Sequence, residues 1–317
     1  MKFNLEIETK GLTKVYKKGG NQTLAVDQID LKIEPGIHGF LGPNGAGKTS
    51  TINMLMGAIS ITKGEAFIRG IKAGTIHARK MIGFLPQDPI FYGNMTAPEY
   101  LTFSARLFGF KKDVIKDQVK DLIEFFELTD DVNKTIYSYS GGMKQKIGLA
   151  SALIHKPKLL ILDEPTTNLD PIGRKNIIDY VKKLSKDMSI FVSSHILSEI
   201  EQLCEKVTII NKGKLILTDS IKNIKNFYSQ QVNHFILDTS SNSLILEKLI
   251  ENNDIINVWL DDKDNKIHII HRVKEEIQKL ISEIISKHEV ILKGFYQPET
   301  TLQDVFMRLM NEGGVQK

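Results

Sequence analysis

Residues 42–49 read Gly-Pro-Asn-Gly-Ala-Gly-Lys-Thr, and no other stretch constrains the fold of this chain as tightly. They follow an apolar run at 37–41, Ile-His-Gly-Phe-Leu, which reads as a strand. They precede a proline-free stretch, 48–59, that carries Ile52, Leu55 and Met56 and reads as a helix. A strand, a glycine loop and a helix in that order are the setting a phosphate-binding loop requires. Gly42, Gly45 and Gly47 let the backbone curl so that successive amides face inward. The helix N-terminus adds its partial positive charge. Lys48 brings a mobile cation to the β- and γ-phosphates, and Thr49 offers a hydroxyl to magnesium. The competing reading is a glycine-rich surface turn, which the flanking strand and helix disfavour. Gly42, Pro43, Asn44, Gly45, Ala46, Gly47, Lys48, Thr49 and Ser50 are therefore the candidate nucleotide-binding residues.

A second apolar run, 159–162, ends in Asp163-Glu164. Carboxylates at the end of a buried parallel strand stand where open α/β sheets bind ligands. Asp163 suits a magnesium ion, and Glu164 can take the proton of an attacking water. A solvated acidic pair is the bland alternative. His195 ends a further apolar run, 190–192, after Ser193-Ser194, and reads as a γ-phosphate contact or a satisfied loop histidine. Gln87 follows the run 82–85, where its amide reaches for magnesium and water, although glutamine before Asp88-Pro89 also suits a turn. Ser140-Gly141-Gly142 opens another helix and forms a second anion site, or simply a helix cap. One chain does not need two γ-phosphate sites for one nucleotide, whereas two chains packed head-to-tail do. Tyr16 lies upstream of the loop and reads as an adenine-stacking ring, with core or hairpin packing as the alternative.

In this order, over residues 3 to about 219, the motifs resemble those of ABC (ATP-binding cassette) ATPases. The resemblance identifies Tyr16 with the adenine-stacking aromatic, 42–49 with the Walker A loop and Gln87 with the Q-loop glutamine. It identifies 139–143 with the signature, 159–163 with Walker B and Glu164 with the catalytic carboxylate. Residues 168–170 resemble the D-loop and His195 the switch histidine. Tyr139 and Met143 stand where the signature commonly has leucine and glutamine, and Asn168 where the D-loop commonly has glycine. The implied fold is α/β: a P-loop NTPase with a RecA-like core, an antiparallel β-subdomain and a helical subdomain. ATP and Mg2+ are the implied cofactors. A transmembrane permease and a second nucleotide-binding subunit, which completes a homodimer, are the implied partners. The segment Tyr-Ser-Gly-Gly-Met-Lys-Gln-Lys at 139–146 and the tail 299–306 resemble the branch that exports drugs, lipids, polysaccharides or peptides.

The expected division is a nucleotide-binding domain over 1–221, with a helical subdomain at about 91–156, and an accessory α+β domain over 222–317. Thr96-Ala97-Pro98-Glu99 predicts a capped helix start. Asp170-Pro171 predicts another, and 211–214 a hairpin turn. Six aromatics between Phe91 and Phe110 are expected mostly in the core of the helical part, with one or two lining a docking groove. The polar stretch 222–231 reads as a linker. Strands are expected beyond it at 232–237, 256–260, 267–270 and 290–295, with helices at 244–250 and 273–285. A net charge of +4 lacks the concentration a nucleic-acid surface needs, so no nucleic acid is expected. The single cysteine, Cys204, excludes an internal disulfide and fits a reducing cytosol. Charges in the first six residues argue against a signal peptide, and no apolar stretch reaches the ~18 residues a bilayer span needs. The expected place is cytoplasmic, peripheral on the inner face of the membrane through the permease. The rival reading is a non-transport ATPase of the same class acting on ribosomes or DNA.

Overall fold

The computed structural model describes residues 5–231, 233–250, 252, 254–261, 264–271, 274–298 and 301–311. The chain divides into two compact units, the first reaching Ile221 and taking in the segment from Leu309, the second running Lys222–Arg308.

The first unit begins with β1 (Ile7–Lys18), β2 (Asn21–Ile29), β3 (Lys32–Ile33), β4 (Ile37–Leu41) and α1 (Lys48–Met56). It continues with β5 (Lys63–Ile68), β6 (Ile71–Lys72), α2 (Ile76–Met81) and β7 (Ile82–Leu85). Three helices follow: α3 (Ala97–Leu107), α4 (Lys112–Phe125) and α5 (Gly141–Leu153). Then come β8 (Leu159–Asp163), α6 (Pro171–Leu184), β9 (Ser189–Ser194), α7 (Leu197–Leu203), β10 (Lys206–Asn211) and β11 (Lys214–Ser220).

Two sheets result. An antiparallel one runs β2-β1-β5-β6 with β3 beside β1, and its alternating Ile7, Ile29, Leu31 and Ile33 are buried. The other runs β11-β10-β4-β9-β8-β7 and is parallel from β10 to β7. Its central strands β8 and β9 are buried at every position, which is why their sequences are apolar runs rather than alternations. The register sets Leu41 beside Ser194 and Asp163 beside Ser193. The ends of β4, β9 and β8 therefore finish on one edge, and the loops that follow them emerge side by side. Lys212 and Gly213, with φ of 47° and 78°, make the tight turn between β10 and β11.

Thr96 and Glu99 close the capping box at the head of α3, with Pro98 in its first turn. The six aromatics near this helix differ from expectation, because none is buried and Tyr92 and Phe108 are exposed. Five of them form ring contacts at half-buried or exposed positions: Phe91 meets Tyr100 edge-on, Tyr92 meets Phe103, and Phe108 stacks on His155 at 4.0 Å.

The second unit holds most of α8 (Ile221–Gln231), then β12 (Asn233–Thr239), α9 (Asn242–Ile250), β13 (Ile255–Leu260), β14 (Ile267–His271), α10 (Lys274–Lys287) and β15 (Leu292–Tyr296). The antiparallel order β13-β14-β12-β15 is that of a split β-α-β-β-α-β unit. Phe235, Leu237, Ile245, Leu249, Ile267, Ile269, Ile277 and Ile281 form its core. Residues 222–231 are not a linker but the body of α8. Ile221, Ile224 and Tyr228 recur at helical spacing and are buried, a stripe that the polar composition of the segment conceals. The tail carries α11 (Leu302–Asn311), capped by a reciprocal Thr301–Asp304 pair. Val232, Val273, Glu299 and Thr300, expected in a strand, a helix and the tail, lie outside the described residues, as do Met1 to Asn4.

Candidate active site

The loop 42–47 joins β4 to α1, and close packing demands two of its glycines. A Cβ on Gly42 would stand 2.4 Å from the Ile210 carbonyl oxygen. Gly47, at φ +106°, would set one 2.5 Å from the Ala25 oxygen. The loop backbone thus lies directly against its neighbours and turns as only glycine permits. Lys48 opens α1 and is buried, with Nζ donating to the carbonyls of Gly42 (2.8 Å) and Pro43 (3.2 Å). The same ammonium stands 3.1 Å from Glu164 Oε1.

Glu164 is the hub of the edge. It follows β8 with a left-handed φ of +49°, a strained conformation for a non-glycine residue. Its amide donates to the Ser193 hydroxyl (3.0 Å) and carbonyl (3.2 Å). Its Oε2 accepts from Thr167 Oγ1 (3.1 Å) and lies 2.9 Å from His195 Nδ1. A carboxylate can only accept, so Nδ1 carries the hydrogen. Burial pushes the Glu164 carboxyl up, but the Lys48 bond and charge, then His195 and Thr167, together hold it below the usual glutamate range. Asp163 is shifted the other way. Burial raises it, against the bonds from Ser193 (2.6 Å) and Thr49, while the charge of Glu164 adds to the rise.

Lys48, Thr49, Asp163, Glu164 and His195 therefore meet in one bonded cluster. Gln87 stands two residues past β7 on the same edge, half-buried and outside that cluster. Tyr16 is 40% exposed, its hydroxyl 3.2 Å from Ser50 Oγ and its ring 5.0 Å from the Lys14 ammonium. Ser140 caps α5 by accepting from the Met143 amide (3.3 Å). With Gly141 and Gly142 it faces a groove of about 460 Å³ shared with Asn168, Leu169 and Asp170. Sequence reasoning missed four contributors: Ser193, Thr167, Gln145 and Glu199. Gln145 is buried in α5 and donates to the Pro165 carbonyl (2.9 Å), tying the Ser140 helix to the segment after Glu164. The period of α5 offered the one usable signal, a glutamine on a helix face otherwise filled by apolar residues.

A glycine cradle beside a buried Lys–Glu pair, with a hydroxyl and a carboxylate next to it, is the arrangement of a phosphate-loop nucleotide site. The ABC transporter family profile matches residues 26–167. An uncharacterized ABC transporter ATP-binding protein, YxlF of Bacillus subtilis, is 37% identical over 282 residues, covering 86% of this chain and 89% of YxlF. The bacitracin transport ATP-binding protein BcrA of Bacillus licheniformis is 34% identical and covers 98% of both chains. A solved dimeric post-hydrolysis state of the ATP-binding cassette MJ0796, bound to ADP and Pi, shares the fold. Its TM-score is 0.62 at 24% identity, over 68% of this chain and 98% of that one. The chain belongs to the family of ABC transporter ATP-binding proteins. As such it binds and hydrolyses ATP and powers a separate permease. Among the described residues, no helix is long and apolar enough to cross a membrane.

Proposed function

We propose that this subunit drives an ABC exporter, with Glu164 as the general base of ATP hydrolysis. The observation that carries the reading is the three-sided hold on Glu164. Lys48, His195 and Thr167 all meet its carboxylate, which stays ionised and aimed at the phosphate loop. Water attacks the γ-phosphorus as the bond to the bridging β–γ oxygen breaks, and its proton passes to Glu164. Lys48 and the amides of 42–49 hold the β- and γ-phosphates, His195 touches the γ-phosphate, and Tyr16 with Ser50 borders the base. The hard oxygen donors Thr49 and Asp163, with the Gln87 amide, suit Mg2+, which would neutralise phosphate charge when bound.

Ser140, Gly141 and Gly142 serve the nucleotide of a second copy, so two chains close head-to-tail on two ATP molecules. The helical part, about 91–156, faces the permease from the cytoplasmic side. Residues 1–221 form the nucleotide-binding domain and 222–317 an accessory domain. The name of BcrA, given for bacitracin transport, supports export of a toxic compound. The test is Glu164→Gln. Turnover should fall roughly 10²- to 10⁴-fold while ATP is retained, and the variant should form a stable ATP-dependent dimer. Unchanged turnover would remove Glu164 from the role.

A further inference from the structure

Glu199 is a buried carboxylate that no step of hydrolysis uses. It sits in the first turn of α7, only 5% exposed. Its Oε2 accepts from Thr166 Oγ1 at 2.6 Å and from Ser194 Oγ at 3.2 Å. Among the described residues, its Oε1 is buried without a hydrogen-bond partner. An acceptor left unmade in the interior is costly, and such a group calls for an explanation from what its other oxygen does.

The two hydroxyls it gathers come from different chain segments. Thr166 precedes Thr167, which donates to Glu164 Oε2. Ser194 precedes His195, which meets that same oxygen. Ser194 Oγ also accepts from the Ile196 amide at 2.9 Å, so the bend just after His195 hangs on the same hydroxyl. One oxygen of Glu199 thus fastens the immediate neighbours of both groups that hold Glu164 Oε2.

We infer that Glu199 is a positioning residue for ATP hydrolysis, setting Thr167 and His195 against the base without touching nucleotide. The inference rests on Glu164 as the base. A site held by paired loops loses rate steeply when they drift, up to ~10²-fold for an ångström. Nucleotide binding should change little under that drift, because the loop amides and the Lys48 bonds to the Gly42 and Pro43 carbonyls lie outside the Glu199 network, and His195 adds a single γ-phosphate contact.

The experiment is a kinetic comparison of the purified full chain with Glu199→Gln, Glu199→Ala and Thr166→Val. Glu199→Ala should lower kcat roughly 10- to 100-fold with KM for ATP within about twofold of wild type. Glu199→Gln keeps an acceptor oxygen and should recover most of the rate. Thr166→Val, which removes one bond and leaves the carboxylate, should show an intermediate loss even if Glu199→Ala fails to fold. In a His195→Ala background the Glu199→Ala effect should shrink, because the group it positions is gone. Wild-type turnover in Glu199→Ala overturns the inference. So does an equal loss of kcat and ATP binding, or an effect undiminished by His195→Ala. Loss of turnover in Glu164→Gln alongside a wild-type Glu199→Ala removes the inference and leaves the base in place.

Discussion

Gly142→Ala separates folding from function, because the two should respond with opposite signs. Gly142 lies in the first turn of α5, and a Cβ built there meets nothing within 4 Å. Its φ lies outside the left-handed range that glycine alone favours. Alanine therefore adds no clash and no backbone strain within the chain, and replacing a helical glycine gains up to about 1 kcal/mol. At ~2–4 °C per kcal/mol for a unit of this size, Tm should hold or rise by up to about 4 °C. Gly142 lines the groove with Ser140, Gly141 and Asn168, where a second copy's phosphate is proposed to approach closely, so the added methyl should crowd that approach. Overfilling a close-packed contact costs about 1–3 kcal/mol, so ATP-driven dimerisation should weaken roughly 5- to 150-fold. Circular-dichroism melts measure the first effect. Light scattering or sedimentation of Glu164→Gln with and without Gly142→Ala, across ATP and protein concentration, measures the second. An unchanged dimer constant refutes the head-to-tail use of this groove. A Tm drop of several degrees refutes the claim that the glycine serves the interface and not the fold.

Gly47→Ala should do the reverse of Gly142→Ala, damaging the fold at its own position. Positive φ costs about 1–3 kcal/mol, and the 2.5 Å approach to the Ala25 oxygen adds overpacking, so denaturant melts should show about 2–5 kcal/mol lost. A loss below about 1 kcal/mol contradicts the packing argument. The pH dependence follows from Glu164, whose native carboxyl lies below its ordinary range. A depressed acid stabilises the fold above its unfolded pKa and loses that contribution as pH falls through the native value. The Tm gap between wild type and Glu164→Gln should therefore be flat near neutrality and close on acidification below about pH 4.3. A gap that widens in acid has the wrong sign for a carboxylate held by Lys48.

The parts of the site that were legible in the sequence are those whose chemistry restricts residue type. A phosphate cradle needs glycines and a lysine in sequence, and Asp163-Glu164 closes a run too apolar to be a surface strand. The antiparallel and parallel strands were legible for the same reason, since burial on one face or two writes alternation or continuity. Ser193 was not legible as a participant. It bonds Asp163 and Glu164 only because β8 and β9 lie in register, with Asp163 opposite Ser193, and register is not written in either strand alone. Glu199 was hidden by the same kind of distance, 33 residues from Thr166 and in the first turn of α7. The helix α8 was hidden because the buried Ile221, Ile224 and Tyr228 are diluted by lysines, asparagines and glutamines that composition reads as linker.

The segment 164–170 starts at Glu164, the proposed base, and ends in the groove beside Ser140, so a single short loop touches both features proposed to face phosphate. At its start Glu164 is locked by Thr167, and in the middle Thr166 is pinned by Glu199 while the Pro165 carbonyl is pinned by Gln145 from α5. At its end Asp170 caps α6 through the Gly173 amide at 2.6 Å. Each anchor bonds a different residue of the loop, so displacement at the groove should reach the bonds nearer Glu164. Gln145→Leu removes the anchor from the Ser140 helix without touching the base. It should leave ATP binding by the single chain intact while lowering the extra turnover gained on dimerisation, measured as rate against protein concentration. A concentration dependence identical to wild type would mean that the loop carries no signal between groove and base.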